Sequence, residues 1–171
     1  MNQDSRCVVV DVETTGLSPG RGGRVIEIGA VAVENGEIAA EFSTLINANS
    51  PIAPGAYRVH GISRAMLRGK PAPDDVWPSF LRFIADSPLI AHNSPFDSSF
   101  IRHELALLGQ HLPNPWHCTV RLARRRLPFL SNHRLETVAR HLIPDLPADL
   151  RLHRALDDAR LTAKVWLALQ A

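Results

Sequence analysis

Apolar positions follow two different rhythms along this chain. Up to about residue 46 they come in short β-branched runs: residues 7–12 read Cys-Val-Val-Val-Asp-Val, and two longer runs, 24–33 and 37–46, flank Asn35-Gly36, a dipeptide suited to a tight hairpin turn. This pattern predicts a three-stranded antiparallel meander. Further along, the apolar spacing becomes helical. Asp74 or Asp75 is placed to cap a helix whose Val76, Phe80, Leu81 and Ile84 recur on one face, and the short strand Leu89-Ile90-Ala91 follows. Ser94-Pro95 predicts a cap and a proline at the first helical position, opening a helix through Leu108 lined by Ile101, Leu105 and Leu108. A strand at 115–118 comes next. Helices are expected at about 119–126, 132–142 and 155–169, broken by proline-bearing stretches near Pro128 and Pro144–Pro147. Strands first, then helices and strands in alternation, imply an α/β chain with a mixed sheet and helices on its faces.

Composition narrows this picture only slightly. With 171 residues, 45% of them hydrophobic, the chain has room for one domain with a real core, expected to span 1–171, and none for a second. There is no internal repeat or low-complexity linker, and the 13 prolines scatter at element boundaries. The balance of 19 basic against 17 acidic residues, net +2, does not by itself point to nucleic acid. Cys7 and Cys118 stand far apart, outside any metal-ligand spacing, and read as reduced thiols packed as small hydrophobes. The N-terminus runs straight into a strand, and no apolar stretch has membrane-spanning length. A soluble, cytoplasmic protein with no membrane partner is expected.

Candidate chemistry comes from acids at element ends. Asp11 and Glu13 close the first strand two residues apart, so alternation points both to one face, within apolar sequence where a lone carboxylate is costly. Asp97 follows the strand 89–91 and the loop His92-Asn93-Ser94, at the carboxyl end of a second strand, the edge where ligands collect in open α/β sheets. His153-Arg-Ala-Leu-Asp157-Asp158 puts an imidazole on a loop and acids in the first turn of the last helix. Each piece alone has a plainer reading: a strand end merging into the turn formers Thr14, Thr15 and Gly16, or ordinary acids favoured by a helix dipole. Together they differ. Four converging carboxylates repel one another unless divalent cations neutralise them, and magnesium or manganese takes such oxygen ligands. Two such ions, about 4 Å apart, suit phosphodiester hydrolysis. His153, with a free pKa of about 6.5, suits the role of general base near physiological pH.

These residues resemble the motifs of the DEDD 3′-to-5′ exonucleases, in the histidine-containing branch. Asp11-Val-Glu13-Thr14-Thr15-Gly16-Leu17 is similar to the family's first motif, His92-Asn93-Ser-Pro-Phe96-Asp97 to its second, and His153 with Asp158 five residues on to its third. Val59-His60-Gly61-Ile62 resembles a segment that closes over the terminal nucleotide, so the likeness runs from about residue 7 to 167. Within the family it extends to the proofreading epsilon subunits of bacterial DNA polymerase III and, through Cys118-Thr-Val-Arg-Leu-Ala-Arg-Arg, to the exonuclease X group. The resemblance implies a ribonuclease H-like fold with a five-stranded mixed sheet flanked by helices, and release of nucleoside 5′-monophosphates. It also implies two divalent cations, Mg2+ or Mn2+, on Asp11, Glu13, Asp97 and Asp158. The resemblance also implies Asp158 over Asp157, since the family places its last acid five residues after the histidine. The resemblance further implies that Thr14, Thr15, Gly16 and Leu17 cradle the terminal nucleotide, His60 and Ile62 bound its base, and Asn93 and Phe96 support the second motif. Helical spacing of Phe96 from Phe100 fits core packing as well.

The expected partner is nucleic acid with a free 3′ end, DNA favoured over RNA, in repair or proofreading, with a DNA polymerase as a possible second partner. Glu-Thr-Thr in the first motif, where oligoribonucleases have Glu-Met-Thr, argues mildly against RNA trimming. A non-catalytic module that binds 3′ ends or a polymerase is the rival from another class. The sequence stops after its last predicted helix, without the long tail by which epsilon subunits hold their polymerase, so a stand-alone enzyme is expected as readily as a subunit. Of the 19 basic residues 17 are arginine. Arg121, Arg124, Arg125 and Arg126 fall on one short helix, either as a solvated face or as phosphate contacts, and Arg58 and Arg64 flank His60.

Overall fold

A computed structural model describes residues 6–147 and 152–170. The meander is present: β1 (Cys7–Thr14), β2 (Val25–Glu34) and β3 (Glu37–Leu45) pair antiparallel in sequence order. Helices α1 (Pro54–His60), α2 (Arg64–Leu67) and α3 (Pro73–Ile84) lead to β4 (Leu89–Ala91). There follow α4 (Ser94–Leu107), β5 (Trp116–Cys118), α5 (Thr119–Arg126), α6 (Leu135–Leu142) and α7 (Ala155–Gln170). The sheet order is β3-β2-β1-β4-β5, with β4 parallel to β1 and β5 parallel to β4, which makes the expected five-stranded mixed sheet. Among the described residues no helix is long and apolar enough to cross a membrane.

Alternation along β1 sorts the core into two layers. Val8, Val10 and Val12 face α3 and α4, against Trp77, Phe80, Phe100, Ile101 and Leu105. Cys7 and Val9, with Val31, Val33 and Ile90, face α7 through Ala159, Ala163 and Trp166. Asp11 and Glu13 continue the second series, so they lie on the face that α7 covers.

Several boundaries differ from expectation. β1 runs two residues past Val12, to Thr14, because β2 keeps pairing with it across a bulge after Glu13. α1 and α2 carried no helical signal, since α1 buries only His60 and leaves Tyr57 and Val59 exposed. Its start is set by Pro54 at the first helical position and its end by Gly61 in the left-handed region, φ 69°. Asp74 and Asp75 lie inside the first turn of α3, whose capping position is Ala72. Ser94 likewise is the first residue of α4 and not its cap; that position belongs to Asn93, at φ 75°, a conformation asparagine tolerates better than most residues.

Candidate active site

The site begins with a missing side chain. Opposite Asp11 on β2 lies Gly29, and a Cβ there would stand 2.3 Å from the backbone of Ala155 and Leu156. Only glycine lets the start of α7 settle onto the sheet beside Asp11. Two places along, Glu27 sits opposite Glu13. Its carboxylate accepts the Ala155 N–H at 3.1 Å and forms a forked pair with Arg154, 2.6 Å at the shortest. Gly29 and Glu27 therefore fix the first turn of α7 over Asp11 and Glu13, which brings Asp158 to them. Asp157, one position round the helix, is exposed and pairs instead with Arg160 at 3.1 Å.

Asp97 arrives from the other side of β1. β4 ends at Ala91, which leaves the Val12 N–H without a strand partner, and Asp97 Oδ1 accepts it at 3.2 Å. The backbone N–H of His153, at φ 71°, donates to Asp158 Oδ2 at 3.0 Å, while Asp158 Oδ1 is buried and has no partner. An imidazole nitrogen of His153 and carboxylate oxygens of Glu13 and Asp158 all lie within 4.8 Å of one another.

Among the described residues no Lys or Arg stands within 4.0 Å of Asp11, Glu13, Asp97 or Asp158. Their acidities show it. Burial, and then the charges of Asp97, Asp158, Glu13 and Glu27, hold Asp11 well above the usual carboxylate range. Glu13 is pushed up to about 8 by burial and by Asp158, Glu27 and Asp97. Burial raises Asp97 to about 8 against the N–H bonds that it accepts. Asp158 rises to about 6, again through burial, with the His153 N–H opposing. Four oxygen donors of this kind, one of them an orphaned buried atom, fit divalent cations: the donors are hard, convergent and short of positive charge.

A cavity of about 490 Å3 opens over these acids. Thr14, Gly16 and Leu17 form one wall, Val59 and His60 another, and His92, Asn93 and Phe96 a third, with Leu17 almost wholly exposed at the rim. Phe96 serves twice, since its ring also packs at 5.0 Å on Phe100. Two residues expected to touch substrate lie elsewhere. Ile62 is fully buried in a small core with Ile26, Ala48 and Leu67. Thr15 is buried with its hydroxyl accepting the Arg24 N–H, because the turn after β1 uses it to hold the start of β2.

Three histidines line the cavity, and hydrogen bonding separates their roles. His60 Nδ1 accepts the Ile62 N–H at 2.9 Å, leaving Nε2 to donate to the Thr14 carbonyl at 3.2 Å; burial lowers its pKa. His92 is pushed down to about 4 by burial, with Nε2 donating to the His133 carbonyl and Nδ1 meeting Thr119 Oγ1. Both rings are structural ties. His153 has an exposed ring with no hydrogen-bond partner among the described residues. Sequence reasoning passed over Glu27, Gly29 and Arg154; a glutamate and a glycine inside an otherwise apolar strand were the available signal.

These residues all fall within 8–166, the stretch that matches the RNase T family, described as Exonuclease. The chain belongs to this exonuclease family. It is 39% identical over 171 residues to the DNA polymerase III subunit epsilon of Rickettsia typhi, covering 96% of this chain and 73% of that protein. It is 41% identical over 162 residues to the PolC-type DNA polymerase III of Clostridium perfringens, 95% of this chain but 11% of that much longer protein. A solved structure of Exonuclease X in complex with 5′ overhanging duplex DNA superimposes with a TM-score of 0.77 at 31% identity, covering 96% of this chain and 90% of the other. The ribonuclease H-like architecture is shared with these exonucleases.

Proposed function

We propose that the chain is a two-metal-ion 3′-to-5′ exonuclease that removes nucleoside 5′-monophosphates from single-stranded or frayed DNA ends. The observation that carries this reading is four carboxylates gathered in one cavity with no lysine or arginine within 4.0 Å among the described residues, beside an imidazole whose ring has no hydrogen-bond partner among them. Asp11, Glu13, Asp97 and Asp158 would hold two Mg2+ or Mn2+ ions, which supply charge neutralisation of the phosphate and of the departing oxygen. His153 takes the proton of the attacking water. Its backbone is fixed by Asp158, so the ring is delivered to the acids without being consumed by a bond of its own. The walls at Thr14, Gly16, Leu17, Val59 and His60 receive the terminal nucleoside, and the cavity suits one or two residues of a strand end.

DNA is preferred over RNA as substrate because the relatives carry the names of DNA polymerase III subunits and Exonuclease X was solved with duplex DNA. Proofreading or repair beside a DNA polymerase is the role consistent with that set. The test is direct: end-labelled single-stranded DNA, duplex DNA and RNA of one sequence, each with magnesium, manganese or chelator. Mononucleotides released from DNA only with a metal support the proposal. Release from RNA alone moves the substrate to RNA, and no release from any of them refutes the nuclease.

A further inference from the structure

The cavity continues beyond the acids. Past His92, Asn93, His153 and Asp158 it runs into a second hollow of about 660 Å3, bounded by Arg124 of α5 and Arg134 ahead of α6. Arg124 stands on a ridge. It also lines a third hollow of about 780 Å3, where Arg121, Arg125 and Arg126 join it beside His117 and Trp166. His92, Asn93, His153 and Asp158 are common to the first two hollows, and Arg124 alone joins the second to the third.

Arg6, Arg24, Arg140, Arg154 and Arg160 each pair with a carboxylate, whereas among the described residues Arg121, Arg124, Arg125 and Arg126 have none within 4.0 Å. No Asp or Glu is among the described residues lining the third hollow. Four adjacent guanidinium groups repel one another, and a groove lined by them favours a polyanion. α5 is also tied firmly to the catalytic cavity. His92 reaches its first residue through Thr119 Oγ1 at 2.8 Å and the loop beyond it through the His133 carbonyl at 2.9 Å, while Ala123 is buried against α6 and α7.

We propose that this path is the track of the strand upstream of the scissile bond: it leaves the catalytic cavity past His92, crosses Arg124 and lies along the arginine face of α5. The ligand is the phosphodiester backbone of single-stranded DNA, held by charge without reading of bases. This rests on the exonuclease reading of the cavity. Two properties follow. Affinity grows with the length of the single strand, and the growth is lost in salt.

The test uses the Asp11→Asn chain, in which cleavage is stopped, and fluorescein-labelled oligothymidylates from dimer to dodecamer in a salt series. Arg121, Arg124 and Arg125 changed together to Ala are expected to cost about tenfold or more in dodecamer affinity and to lower the salt slope by about two, at roughly 0.7 per lost single-strand phosphate contact. The loss on the dimer is expected to be several times smaller. Lysine at the same three positions restores most of the dodecamer affinity. Should the triple variant fold poorly, Arg124→Ala alone is read on the same series, with about a threefold loss expected for one contact. Unchanged dodecamer affinity, or an equal loss when Arg58 and Arg64 are changed to Ala, overturns the track. Cleavage by the unsubstituted chain is scored separately: if it cuts neither dimer nor dodecamer, the exonuclease reading itself fails, whereas cutting with unaltered arginine-variant binding removes only the track.

Discussion

Two sets of buried carboxylates in this domain are treated oppositely. Glu27 and Glu104 are 3% and 1% exposed, and each is answered by an arginine fork, from Arg154 and Arg24, plus a backbone N–H, from Ala155 and Val25. Asp97, Asp158 and Glu13 are nearly as buried, at 2%, 7% and 8%, and have no basic partner within 4.0 Å among the described residues. Burying a carboxylate is costly in either place. Where the charge is structural, the chain supplies the counter-charge; where it is left unanswered, the donors present fit a cation from outside. That difference separates the positioning acids from those proposed to hold metal more sharply than burial does.

The widest gap in this comparison is opened by removing a chemical acid. Asp11→Ala or Asp158→Ala is expected to lower turnover of a labelled strand by at least about a thousandfold, with the circular dichroism spectrum kept. Asp157→Ala, one position round α7, is expected to stay near the parent rate. His153→Ala comes next, with a loss of at least about a hundredfold in turnover while manganese binding by calorimetry persists. On the positioning side, Arg154→Ala strips Glu27 of its fork and is expected to cost about 2 kcal/mol in urea unfolding, more than Glu27→Gln, which leaves a half-exposed arginine that water can serve.

The smallest effect is one of pH. Glu13 and Asp97 bind protons up to about pH 8 when folded, against 4.5 and 3.8 as free groups, and Asp158 up to about 6. The folded chain therefore holds more protons than the unfolded one between roughly pH 4 and 8, so stability in chelator falls as pH rises through that window. A drop of several degrees in melting temperature from about pH 5 to pH 8 is expected, with manganese restoring more at pH 8 than at pH 6. A melting temperature that rises with pH in chelator contradicts the unanswered-charge account.

Residues proposed to act on chemistry were legible because they carry charge at element ends: Asp11 and Glu13 by strand alternation, Asp97 beyond a strand, His153 ahead of a helix and Asp158 in its first turn. Residues that place them were not. Gly29 matters through the backbone of Ala155, more than a hundred residues away, and local sequence does not encode which element will press on a strand face. α1 was missed for a related reason, since an exposed helix with one buried residue has no apolar stripe. Ile62 shows the limit of the family likeness: the resemblance of Val59-His60-Gly61-Ile62 implied a place at the terminal base, yet after the turn at Gly61 its side chain is buried in a small core.

The docking of α7 onto Gly29 has a consequence for timing. Emerging from a ribosome, the growing polypeptide presents Asp11, Glu13 and Asp97 well before the imidazole and the fourth acid. Assembly of the full acid cluster thus waits on a single closing event, the seating of α7 on Gly29.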